Sequence, residues 1–265
     1  MLVDYHLHTN NSFDGTQTID ELCRAAIANG LQEVAVTDHM EIFSGKKYSD
    51  ILDCSQTFQD IAYAREKYRG KLTVKKGIEL GQPMRNPDEA KKFLQEYELD
   101  FIIGSVHNME RDEDVGEYDY QKIDFDTFFP HYLACIYDLA QNYEYDVLGH
   151  VTYPMRYQFL QTGQRIDPLK WREQFAEIFR EVIKRHKGIE LNTSSIARGR
   201  GILMPEESLL RLYRDLGGTI ITLGSDAHKK EQTGTTAVIG QQILQSAGFT
   251  QFTVYEHHEP RFIPL

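Results

Sequence analysis

Cysteine is scarce in this chain. The three present, Cys23, Cys54 and Cys135, stand far apart with no Cys-x-x-Cys pair. That argues against a disulfide framework or a thiolate zinc site and suits a reducing cytoplasm. No apolar run is long enough to cross a bilayer, and the first residues lack the basic and apolar regions of a signal peptide, so no membrane partner is expected. Positive charge is also in deficit. A formal net charge of -11 over 265 residues repels a phosphate backbone, so nucleic acid is not an expected partner. No glycine-rich turn follows the first apolar run, which removes the dinucleotide fingerprint and the phosphate loop. Internal repeats, linkers and low-complexity segments are absent too, and the length suits one domain spanning residues 1–265.

What is present is alternation. Short apolar runs at residues 1–3, 33–37, 72–78, 101–106, 146–149, 188–191 and 219–223 read as strands, and amphipathic stretches separate them. Thr18 and Glu21 form a capping box, with Gly30 closing the helix that follows. A helix is expected over roughly residues 50–68, and Asn86-Pro87 opens another. Trp171, Phe175 and Phe179 form a core stripe on the helix after Asp167-Pro168. Residues 152–165 read as loop, and the tail from Phe249 has strand character. Residues 108–124 form a long acidic loop of the kind that carries function. Seven apolar strands covered by helices predict an α/β fold, a (β/α)7 TIM-like barrel of parallel strands surrounded by helices. An open doubly wound sheet is the runner-up.

In such barrels the reactive face is built at the carboxyl ends of the strands. Here those ends read His6 and His8, His39, Glu79, His107, His150, Asn192, and Asp226 with His228. In an extended strand, side chains two apart share a face, so His6 and His8 project together. Six of the ten histidines fall at strand ends. Packing explains this poorly, because each buried imidazole needs its own hydrogen-bond partner. Imidazoles and carboxylates without thiolates suit zinc, manganese or iron. The set is too large for one ion, and a carboxylate such as Glu79 can bridge two. Sites of this kind activate water and stabilise displacement at phosphorus. Asp38 reads as a group orienting a ligand imidazole. Asn192 reads either as a strand cap or as a substrate contact. Asp14, followed by glycine, reads on its own as a turn residue.

The motifs His6-Leu7-His8, Thr37-Asp38-His39, Gly77-Ile78-Glu79, Ser105-Val106-His107, Gly149-His150 and Ser225-Asp226-Ala227-His228 together resemble the PHP (polymerase and histidinol phosphatase) superfamily across nearly the whole chain. Residues 194–199 resemble its histidinol-phosphatase branch. That resemblance implies a distorted (β/α)7 barrel and three divalent metal ions. His6, His8, Glu79 and Asp226 would hold the first, Glu79, His107 and His150 the second, and His39 and His228 the third. Asp14 stands where many relatives carry a further histidine ligand, and it is assigned to the third metal.

Guanidinium groups match phosphate oxygens, which makes Arg156 and Arg198, in the loops after the fifth and sixth strands, candidate substrate contacts. Arg200 and Lys229 are weaker candidates. The expected reaction is hydrolysis of L-histidinol phosphate in histidine biosynthesis, with Asp226 or His228 relaying a proton to the leaving oxygen. The acidic residues Glu110, Asp112, Glu113, Asp114 and Glu117 read either as attracting a cationic substrate or as a simply soluble loop. Alternatives are a PHP-type nuclease or nucleotide phosphoesterase, an amidohydrolase that lacks its usual bridging lysine, and a non-catalytic metal-binding module.

Overall fold

The computed structural model describes residues 1–46 and 54–265. Seven parallel staves form the sheet, in the order β1 (Val3–Asp4), β2 (Glu33–Val36), β4 (Thr73–Gly81), β5 (Phe101–Ser105), β6 (Val147–Leu148), β7 (Gly188–Asn192) and β8 (Ile221–Gly224). The second stave is interrupted at Thr37 and Asp38. It resumes as β3 (His39–Glu41), which continues along β4 with His39 opposite Glu79 and Glu41 opposite Gly81. The sheet closes on itself. Tyr5 N donates to the Leu223 carbonyl at 2.8 Å, and Leu7 and Ala227 form an isolated parallel bridge. The result is the distorted (β/α)7 barrel.

Helices cover the staves. Around the barrel run α1 (Ile19–Ala28), α2 (Cys54–Lys67), α3 (Pro87–Glu96), α4 (Phe125–Asn142), α5 (Tyr153–Thr162), α6 (Arg172–Lys184), α7 (Ser194–Ala197), α8 (Glu207–Asp215) and α9 (Ala237–Ala247). The Thr18–Glu21 capping box closes the start of α1 in both directions. Asn86 does stand at the cap of α3, but its side chain donates instead to the Lys46 carbonyl. The start of the helix expected from residue 50 lies outside the described residues. Trp171, Phe175 and Phe179 are buried, and Phe129 packs its ring 4.7 Å from Trp171, so this stripe is core. Among the described residues no helix is long and apolar enough to cross a membrane.

Residues 152–165 depart from the sequence reading, because α5 runs through most of them. Its buried face mixes Tyr153, Met155, Arg156 and Gln158, so no apolar stripe at helical spacing marks it. Pro154 sits in the first turn, where a missing N–H costs nothing.

The tail forms an antiparallel hairpin, β9 (Gln251–Glu256) and β10 (Glu259–Pro264). It packs under the amino ends of the staves. Thr253 accepts from Ile221 N, Tyr255 N donates to the Tyr5 hydroxyl at 2.9 Å, and Tyr5 donates to buried Glu33. At the hairpin turn His258 Nδ1 meets Asp146 Oδ2 at 2.8 Å. This hydrogen bond holds the half-buried imidazole above its ordinary pKa. A raised folded value means the contribution is complete below the unfolded value of about 6.5 and disappears as pH climbs through the folded one. Melting temperature should therefore decline over that window more steeply in the parent chain than in His258→Gln. Parallel pH profiles of the two would contradict the assignment.

Candidate metal centre

The carboxyl ends of the staves deliver their side chains to one rim. Glu79, near the end of β4, is buried at the centre. Its Oε2 lies 3.1 Å from His6 Nε2, 3.5 Å from His8 Nε2 and 3.1 Å from His39 Nδ1. Its Oε1 lies 2.8 Å from His150 Nε2 and 3.2 Å from His107 Nε2, and accepts from Ser105 Oγ at 2.7 Å. One carboxylate therefore faces five imidazoles, three on one oxygen and two on the other. Asp226 Oδ1 lies 3.5 Å from His8 Nε2 and 3.9 Å from His6 Nε2. Asp14 faces the sixth imidazole and the far side of His39, with Oδ2 2.8 Å from His228 Nε2 and Oδ1 3.6 Å from His39 Nε2. The nine residues expected at the metals are thus brought together. Four sets of three place ligand atoms within 4.8 Å of one another: His6/His8/Asp226, His6/Glu79/His150, His39/Glu79/His107 and His8/His39/His228.

The donor chemistry fits divalent cations. His6 Nε2, His8 Nε2, His39 Nδ1 and Glu79 Oε2 are buried and make no hydrogen bond. Orphaned polar atoms of this kind are costly, and here the three nitrogens all surround the one oxygen. Burial alone would lower the imidazole of His6, but Glu190, Glu79 and Asp226 hold it well above its ordinary value. Burial works the same way on His39, and Glu79, Asp14 and Glu41 hold it up at about 10. His8 goes the other way, to about 3, because it is buried and repelled by His228 and His39. It keeps a free lone pair at neutral pH. Burial opposes the charge on Glu79, yet the surrounding imidazoles keep its carboxylate well below the usual range. The carboxylates of the cluster are therefore ionised, and divalent cations can take the place of the protons they hold on the imidazoles.

Sequence reasoning missed two carboxylates. Glu190 Oε1 meets His6 Nδ1 at 2.7 Å, and its Oε2 accepts from His150 N at 3.0 Å. Glu41 Oε1 lies 2.9 Å from His107 Nδ1. Each stands two residues from a strand-end polar residue on the same stave, Asn192 and His39, and the period of two was the available signal. Glycine makes room for both. A Cβ on Gly224 would lie 2.1 Å from Glu190 Oε1, and one on Gly81 would lie 2.2 Å from Glu41 Oε2. Asp38 does not reach an imidazole itself. It accepts from Ser12 Oγ at 3.0 Å, and that hydroxyl lies 3.3 Å from His8 Nδ1. Asn192 links Glu190 and Asp226 by 3.3 Å contacts and accepts from Ser194 N, so it braces the rim.

Above the rim lies a cleft of about 410 Å³, walled by Arg156, Arg198, Tyr153, Tyr157, Asp114 and Phe13 among others. Arg156, on α5, is buried against the edge-to-face pair Tyr153 and Tyr157, 4.9 and 4.7 Å from their ring centroids. It donates to Ser194 Oγ at 3.0 Å and to the Tyr157 hydroxyl at 2.7 Å, while its Nε has no partner. Arg198 reaches the Asp226 carbonyl only at 3.4 Å and stays loosely held at the mouth. Arg200 and Lys229 also line the cleft. Of the acidic loop, only Asp114 lines it. Asp112 pairs with Arg85 at 2.8 Å, and exposed Glu110 lies near His131.

A family model described as the PHP domain matches residues 4–194. A histidinol-phosphatase of Lactococcus lactis is 30% identical over 257 residues, covering 96% of this chain and 94% of the relative. A solved structure of the Lactococcus lactis histidinol phosphate phosphatase, in complex with zinc, L-histidinol and phosphate, superposes with a TM-score of 0.83. It is 27% identical and covers 98% of both chains. A structure from Listeria monocytogenes, with TM-score 0.77 and 19% identity over 89% of this chain and 99% of its own, shares the fold.

Proposed function

The chain belongs to the PHP domain family, and from that premise we propose that it is a metal-dependent phosphomonoesterase that hydrolyses L-histidinol phosphate to L-histidinol and phosphate. The observation that carries this reading is Glu79, whose two oxygens face two groups of imidazoles, the first through three buried nitrogens that make no hydrogen bond. His6, His8, Glu79 and Asp226 would hold one cation, Glu79, His107 and His150 a second, and Asp14, His39 and His228 a third. Zinc, manganese and iron all suit imidazole and carboxylate donors. Similarity to the zinc-holding Lactococcus lactis enzyme supports zinc. When bound, divalent ions lower the pKa of water and polarise phosphoryl oxygens.

The chain's own residues place the substrate. Arg156 and Arg198 receive the phosphate oxygens, Arg156 as a fork already fixed by two aromatic rings. Asp114 faces the cleft where the protonated amine of the leaving group would lie. Proton transfer to the leaving oxygen is assigned to Asp226: burial opposes its charge, but His6, His8 and His228 keep its carboxylate ionised, so it would first take that proton from the attacking water. His228 Nδ1 lies 2.9 Å from the Asp226 carbonyl, which can only accept, and 3.4 Å from Arg198 Nη2, which can only donate; the shorter contact assigns the hydrogen to Nδ1. Only Nε2 is left to bind or to transfer, and it faces Asp14. The reaction belongs to histidine biosynthesis, in a cytoplasm that keeps the sparse cysteines reduced.

Two measurements test this reading. Phosphate release is followed after chelation and reloading with zinc or manganese, across L-histidinol phosphate, nucleoside monophosphates, a simple aryl phosphate and an oligonucleotide. L-Histidinol phosphate should give the largest kcat/KM, and chelation should abolish it. Preference for a nucleotide or oligonucleotide would favour the nuclease reading. Asp114→Asn should raise KM for L-histidinol phosphate by roughly tenfold, the value of one charge-assisted contact, and leave the aryl phosphate unaffected. An equal change for both would remove Asp114 from substrate recognition.

A further inference from the structure

One carboxylate touches rings assigned to two different cations. Glu41 Oε1 lies 2.9 Å from Nδ1 of His107, aligned as a hydrogen bond, and 3.1 Å from Nδ1 of His39, an ion-pair contact. Its other oxygen accepts from Gln82 Nε2. Gln82 cannot turn its amide over, because Oε1 already accepts the backbone N–H groups of His107 at 3.0 Å and Asn108 at 3.1 Å. Gln82 is wholly buried and left-handed, with φ 36° and ψ 61°, immediately before Pro83. That conformation is unfavourable for a side-chain-bearing residue and is kept only where surroundings dictate it. Gly81 leaves the space that the Glu41 carboxylate fills. The carboxylate is therefore fixed on one side by a rigid amide and on the other meets two rings.

We propose that Glu41, clamped by Gln82, is a positioning residue that links the cation at His107 to the cation at His39, so that the two load as a coupled pair. The proposal rests on the metal assignment made above. A carboxylate on one imidazole nitrogen orients the ring and strengthens the other nitrogen as a ligand. Here a single oxygen does so for one ring and balances the charge of the other. Gln82 holds one oxygen of Glu41; a cation that orders either ring holds the other, Oε1, in place for the second ring and lowers that ring's ordering cost, and linkage makes the effect reciprocal. Glu190, by contrast, serves His6 and the backbone of His150 and has no contact with His39 or His107 among those found.

The test is zinc binding by the full-length chain, stripped by chelator and titrated against a competing chromophoric chelator. The parent should bind three equivalents. Glu41→Gln keeps the volume but presents an amide N–H to Gln82 or to His107, so two of the three equivalents should weaken by roughly 10–100-fold. His39→Ala should abolish one equivalent and weaken a second by about tenfold or more, although His39 is outside the His107 and His150 ligand set. Far-UV circular dichroism of the stripped proteins checks folding, and should Glu41→Gln not fold, His39→Ala decides. Weakening of one equivalent or none in Glu41→Gln, or of one only in His39→Ala, overturns the coupling. A parent chain that binds no zinc overturns the metal assignment itself.

Discussion

Glu79→Gln is expected to lower kcat/KM on L-histidinol phosphate by at least about 1,000-fold, or ~4 kcal/mol of transition-state stabilisation. The amide is nearly isosteric, so the effect is one of charge and donor type. Oε2 of Glu79 faces His6, His8 and His39, and Oε1 faces His107 and His150 and accepts from Ser105. An amide NH2 at either place puts a donor against groups that need an acceptor or a shared cation. Bound metal should fall in parallel with turnover, while the far-UV circular dichroism stays that of the parent, since the core lies in aromatic and aliphatic side chains beneath the rim. Turnover within tenfold of the parent would show that Glu79 does not bridge.

Arg156→Ala is expected to raise KM by about 10–100-fold, the range that one or two charge-assisted hydrogen bonds support. It should change kcat by less than about threefold, because phosphate contacts act before and during the reaction alike. Arg156→Lys should recover only part of the loss. Its ammonium keeps the charge but has neither the fork nor the flat guanidinium that packs against Tyr153 and Tyr157. Arg198→Ala should follow in the same direction with a smaller effect, because that side chain is held only at 3.4 Å. Steady-state kinetics on the three variants separates the cases. A fall in kcat at constant KM would move Arg156 from binding into the chemical step.

The residues proposed to hold the metals were legible because a strand places function at its carboxyl end, and the apolar runs before His6, His107 and His150 mark those ends plainly. Glu79 followed from the same rule, although β4 runs on two residues further, to Gly81. The supporting carboxylates were hidden. Glu190 lies inside β7 and Glu41 ends the short β3, beyond the apolar run that marked the second strand, and their meaning appears only when His6 and His107 arrive from other staves. The helix carrying Arg156 was read as loop because its buried face is polar and aromatic, shaped by the cleft and not by the core. The i, i+4 pair Tyr153 and Tyr157 was a helical signal, though a short one. Of the acidic loop, sequence placed the charges but not the single one, Asp114, that the chain's path turns toward the site.

X-ray diffraction at the zinc absorption edge, from crystals of the chain grown with zinc, tests the central claim most directly. Anomalous peaks are predicted on both sides of the Glu79 carboxylate, one among His6, His8 and Asp226 and one beside His107 and His150, with a third between His39, His228 and Asp14. Zinc density only at surface carboxylates, with the Glu79 rim free of peaks, would contradict it.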